Sequence, residues 1–149
     1  MSCARGGEPC VRGSGQTQSV AVRLYRSMRV AEDGLPELGR SARTLGVRPR
    51  IDVLVDANGL VRGGIGGMSV APDSPMRLPA HRRPHEFAGT GKDPIWELDT
   101  GSLGECLRYR EDPLMPGEHG FLEPGSPMSL ERYESALHST RRAWRLSSS

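Results

Sequence analysis

Nineteen glycines and twelve prolines punctuate the 149 residues of this chain. That density predicts short strands and loops rather than long helices. Within it, alternating apolar runs mark strands. Val20, Val22 and Leu24 alternate with Ala21, Arg23 and Tyr25 up to Arg26, the period of a strand with one face in a core. Ile95 to Leu98 and Gly120 to Glu123, the latter stopped by Pro124, read as further strands, and Gly63 to Gly67 lead into a short strand at Met68-Ser69-Val70. Ile51–Val55 and Leu60–Val61 flank Asp56-Ala57-Asn58-Gly59, a hairpin signal because Asn-Gly accepts positive φ. Leu35, Leu38, Ala42 and Leu45 recur at helical spacing, and Leu103 with Leu107 suggests a helical turn or two. Leu130, Tyr133, Ala136, Leu137, Thr140 and Trp144 form the clearest helical stripe. Ser129 is placed to cap it, and Met128 to staple onto Tyr133. Pro72, Pro75, Pro79 and Pro84 break the stretch between strands into a long loop carrying His81, Arg82, Arg83 and His85.

The length suits one ordinary domain. Hydrophobic residues make up 36% and charged residues 26%, the balance of a globular chain. Met1 to Gln18 holds almost no large apolar side chain and reads as a flexible tail, leaving 19–149 as the folded domain. Lys92 is the lone lysine among 20 basic residues, yet the net charge is only +2. Interspersed acids speak against a dedicated nucleic-acid binder. Cys3, Cys10 and Cys106 are odd in number and two lie in the tail, so the expectation is reduced thiols in a cytosolic setting, without a disulfide framework. No apolar segment resembles a signal peptide or a membrane span. Export would therefore need a specialised secretion machine.

Familiar motifs fail in detail. Gly89-Thr90-Gly91-Lys92 lacks the first glycine of a phosphate loop and runs into Asp93-Pro94. Gly64-Ile65-Gly66 leads toward a strand and Pro72 instead of a helix. Pro84 between His81 and His85 argues against a helical metal pair, so no metal is expected there. No Gly-x-Ser-x-Gly elbow is present. What remains is a set of polar residues on short strands: Arg26, which could clamp pyrophosphate, Tyr25, which could stack on nicotinamide, Ser69, which could position Arg26 and the ribose, and Glu123, which could stabilise an oxocarbenium-like centre.

Leu24-Tyr25-Arg26, Ser41 to Arg48, Gly66-Gly67-Met68-Ser69-Val70, Trp96, His119-Gly120-Phe121-Leu122-Glu123-Pro124, Met128 and the closing segment through Trp144 occur in an order that resembles the second type VI secretion exported toxin family. The resemblance covers about Val20 to Leu146. It implies an α+β, ADP-ribosyltransferase-like fold of two small packed sheets with short flanking helices. It also implies a type VI secretion effector, cytoplasmic in its producer and delivered to the cytosol of a target cell. There it would bind NAD as substrate, cleave the N-glycosidic bond, and pass ADP-ribose to a target macromolecule or to water. A cognate immunity protein would occlude the cleft. Carried over residue by residue, Arg26, Ser69 and Glu123 become catalytic, with Tyr25, Gly67 and His119 beside the NAD. Two departures stand out. Met68 replaces the Thr or Ser that usually precedes the motif serine, and no Glu-x-Glu or Gln-x-Glu pair precedes Glu123. Both weigh against transfer to a macromolecule, and the missing Glu-x-Glu pair favours one alternative, a non-catalytic binding toxin on the same fold. A second alternative is a nucleic-acid-directed toxin using Arg82, Arg83 and the arginines near the C terminus, against which the modest net charge speaks.

Overall fold

The computed structural model describes Cys10 and residues 21–148. The expected flexible tail, residues 1–18, lies outside these apart from Cys10. The chain forms a small α+β domain with two packed β-sheets and short helices. The larger sheet has six strands in the order β5-β6-β3-β1-β4-β8. These are β1 (Arg23–Ser27), β3 (Met68–Pro72), β4 (Ile95–Asp99), β5 (Leu107–Glu111), β6 (Gly120–Pro124) and β8 (Arg145–Leu146), and every neighbouring pair is antiparallel. A second, two-stranded ladder joins β2 (Leu60–Val61) to β7 (Met128–Ser129), which runs into the helix α1 (Leu130–Ser139).

Strand periodicity decides the two faces of the large sheet. Leu24, Met68, Val70, Trp96, Leu98, Leu107 and Leu122 point into the main core. Val61, Met128, Tyr133, Leu137 and Trp144 close that core from the side of β2, β7 and α1. Tyr25, Ala71 and Ile95 point the other way and pack with Phe87 in a smaller cluster. The proline-rich loop covers this second face. It is ordered as three 3₁₀ turns, Pro75–Arg77, Ala80–Arg82 and His85–Phe87. Arg83 ties them by donating to the carbonyls of Leu78 (3.0 Å) and Phe87 (2.7 Å).

Ser129 caps α1, its hydroxyl accepting the Arg132 amide at 3.1 Å, and Met128 and Tyr133 share the core as the staple requires. Tyr133 also pins the sheet. Its hydroxyl accepts the Met68 amide at 3.1 Å and donates to the Leu122 carbonyl, bridging β3 and β6.

Several sequence expectations fail, each for a local reason. No helix forms over Leu35–Leu45; the segment folds back on itself through the bridges Val30↔Pro36 and Leu38↔Leu45. Gly46 makes this possible, since a Cβ there would lie 1.8 Å from the Gly39 carbonyl oxygen. Ile51–Val55 is not a strand. The Asp56–Gly59 turn exists, with Gly59 at φ +80°, but β2 pairs with β7 instead. The helical turn expected at Leu103–Leu107 gives way to a 3₁₀ turn at Thr100–Ser102 followed by β5, whose Leu-Arg-Tyr-Arg-Glu alternation suits a strand. The last helix ends at Ser139 rather than Trp144; Thr140 caps it, and Trp144 is extended. Finally, Cys10 and Cys106 are disulfide-bonded with Cα atoms 4.9 Å apart, which overturns the expectation of reduced thiols. Spacing alone could not reveal a bridge between residues 96 positions apart.

Trp144 is 2% exposed, and its indole donates to the Thr140 hydroxyl at 3.0 Å. Trp144→Ala is expected to cost about 3 kcal/mol in urea unfolding. Unchanged stability would show that the surroundings collapse into the space.

Candidate functional site

Arg26 ends the alternation of β1 on the main-core face, the same face as Leu24. The β1–β3 ladder stops after Tyr25↔Ala71, and the guanidinium occupies the point where the strands part. It is 6% exposed. Its Nε donates to the Thr44 carbonyl at 3.2 Å and Nη1 to the Ser69 carbonyl at 2.9 Å. Nη2 reaches the carbonyls of Thr44, Ser41 and Gly46 at 2.8, 3.3 and 3.4 Å. These bonds explain why residues 41–46 are not helical: their carbonyls face a buried cation rather than the next turn. Burial, then the nearby charge of Arg82, pulls the Arg26 guanidinium down to about 10.

Ser69 lies on the opposite face, directly across from Phe121 on β6. Its hydroxyl has no protein partner among the described residues. Glu123 lies on that same face two residues along β6, opposite Arg108 on β5. Its carboxylate is fully buried. It accepts Arg108 Nε and Arg110 Nε, both at 2.6 Å, and the Gly64 amide at 2.8 Å. Gly63 lets the loop close over it, because a Cβ there would lie 3.0 Å from the carboxylate and 2.8 Å from Arg108.

Arg26 and Ser69 therefore meet through the serine's backbone. Ser69 and Glu123 share a face on adjacent strands, and Glu123 pairs with Arg108 and Arg110 rather than with Arg26. Tyr25 is 6% exposed within the smaller cluster. Gly67 permits a close approach of strands, since a Cβ would lie 2.5 Å from the Leu122 carbonyl oxygen. His119 pairs through Nδ1 with Asp112 (2.8 Å) and sets its ring edge-on to Phe121, with Arg110 4.9 Å over the same ring.

Sequence reasoning missed Arg108, Arg110 and Asp112, and read Arg82 only as part of the proline-rich loop and of the nucleic-acid-directed alternative. The alternation of Arg108 and Arg110 on β5 was the available signal for two of them. Arg82 Nη2 donates to the Ser27 carbonyl at 2.8 Å and to the Ala42 carbonyl. Arg43 holds Asp93 with contacts of 2.6 and 2.8 Å, and Arg48 holds Asp52 at 2.9 and 3.1 Å. An open apolar hollow beside Met76 and Phe87 contains none of the candidate residues. Among the described residues, no group of three or more His, Cys, Asp or Glu is gathered as a metal site, and no helix is long and apolar enough to cross a membrane.

Burial raises the pKa of Glu123, but the Gly64 amide, Arg110 and Arg108 outweigh it and hold the carboxyl below its ordinary 4.5. A depressed carboxylate contributes stability above its unfolded pKa and loses it as pH falls through the folded value. The gap in thermal midpoint between wild type and Glu123→Gln is therefore expected to be widest at neutral pH and to shrink below pH 4.5. A gap independent of pH would show that the charge is immaterial.

Compared with protein-family models, curated proteins and solved structures, the chain matches none.

Proposed function

We propose that this chain is the toxin domain of a secreted effector that binds NAD in a target cell and cleaves its N-glycosidic bond, passing ADP-ribose to a macromolecule or to water. The observation that carries the reading is the shared face of Ser69 and Glu123 on adjacent strands, with the Arg26 guanidinium reaching the Ser69 carbonyl from the other face where β1 and β3 part. A free serine hydroxyl can orient a ribose, a carboxylate can stabilise the oxocarbenium-like centre left by nicotinamide, and positive charge can hold the diphosphate. For Glu123 to reach a ribose, the Gly63–Gly64 loop and the two arginines must release it. The cytosolic site of action, delivery by a type VI machine and a cognate immunity protein over the cleft belong to the same proposal.

A second reading is a non-catalytic binding toxin, which the full engagement of the Glu123 carboxylate favours. One experiment separates them. Pure protein is incubated with labelled NAD, with and without cell lysate, and free nicotinamide and labelled macromolecules are measured. Nicotinamide release lost in Ser69→Ala supports the enzyme. No release under any condition, with toxicity retained in cells, supports the binding toxin.

A further inference from the structure

Two guanidiniums near the parting of β1 and β3, those of Arg26 and Arg82, have no carboxylate partner among the described residues. They differ in what they have left to offer. Arg26 is buried, with its nitrogens turned to backbone carbonyls. Arg82 is only partly buried and engages Nη2 alone, leaving Nε and Nη1 without a protein acceptor. Its Nη2 bonds fix it between the end of β1 and the 41–46 loop, so its charge is placed and does not wander.

The surroundings do not neutralise it. Arg26 feels Arg82, Arg48 and Asp52, while Arg82 feels Asp93, Arg43 and Arg48. Asp93 and Asp52 are already engaged by Arg43 and Arg48. Four guanidiniums thus stand against two carboxylates, and the excess of two positive charges lies where water is partly excluded. Burial lowers the Arg82 guanidinium, and Arg43 and Arg48 add to this against the opposing pull of Asp93. Such a cluster is at a disadvantage when empty, and an anion relieves it. The diphosphate of a dinucleotide carries two negative charges and oxygen acceptors only, which suits open guanidinium donors.

Within the NAD reading above, on which its biological setting rests, we infer that Arg82, rather than Arg26, is the side chain that binds the nucleotide's diphosphate. Arg26 is then a positioning residue. It holds the 41–46 loop, whose Ala42 carbonyl in turn fixes Arg82.

Calorimetry of the full-length protein tests this with ADP-ribose and inorganic pyrophosphate as probes. Wild type is expected to bind both. Arg82→Gln is expected to weaken each by about tenfold, and Arg142→Gln, at an exposed position beyond α1, by nothing measurable. Because Arg82→Gln also removes two bonds to the backbone, a second measurement uses the wild-type protein. On titration with pyrophosphate, the Nε–Hε nuclear magnetic resonance signal of Arg82 is expected to shift, while that of Arg26 stays in place. No binding by wild type, unchanged affinity in folded Arg82→Gln, or a stationary Arg82 signal would each overturn the assignment. If both probes bind through Arg82 but NAD is not cleaved, the assignment stands and the enzymatic reading falls. If NAD is cleaved and Arg82→Gln leaves KM unchanged, the enzyme stands and the assignment falls.

Discussion

Replacing Cys106 by Ser is expected to lower the unfolding free energy by about 4 kcal/mol under oxidising conditions. The bond closes a loop spanning 96 positions, from Cys10 to the residue before β5. Without it the unfolded chain regains that freedom, while the folded state keeps its core. The site sits where the effect is felt locally too, because Gly125 donates to the Cys106 carbonyl at 2.8 Å and thereby fastens the start of β5 to the end of β6. Removing residues 1–18 takes Cys10 away and is expected to cost a similar amount, so the N-terminal segment is not dispensable for stability as its composition suggests. Urea unfolding of wild type, Cys106→Ser and the truncated chain, each with and without a thiol reductant, measures it. The three are expected to converge in reductant. Equal stability of wild type with and without reductant would show that the bridge contributes nothing.

Arg26→Ala is expected to destabilise by roughly 4 kcal/mol, combining a large-to-small core change with carbonyls left without a donor. The affected groups are specific: the carbonyls of Ser41, Thr44, Gly46 and Ser69 all accept from this side chain. A purely catalytic arginine would predict the opposite, lost activity at wild-type stability. Urea unfolding alongside a growth assay in cells separates the two. Wild-type stability with loss of the proposed toxicity would return Arg26 to the proposed reacting centre. Loss of stability together with loss of toxicity is the outcome its position leads us to expect. The same variant should also loosen the 41–46 loop, visible as faster amide hydrogen exchange over those residues.

Much of the architecture was legible from local pattern. The alternation in β1, β4 and β6 and the capped, stapled start of α1 are local devices, determined by residues within a few positions of one another. The strand lengths follow from the same Gly and Pro punctuation, and Arg26, Ser69 and Glu123 stand on strands as the sequence suggests. Other features were settled only by tertiary contact. Apolar residues at helical spacing over Leu35–Leu45 could not form a helix once Arg26, distant in sequence, took the loop's carbonyls. The Leu60–Val61 strand left its hairpin partner for Met128–Ser129, because pairing there seats Val61 and Met128 in the main core. Glu123 could be recognised as a strand-end carboxylate, but its burial among Arg108, Arg110 and the Gly64 amide depends on β5 pairing in one register. Hydrophobic period and turn chemistry are short-range and can be read along a chain; the partner of a buried charge, or of a cysteine 96 positions away, exists only when the sheet has brought distant segments together.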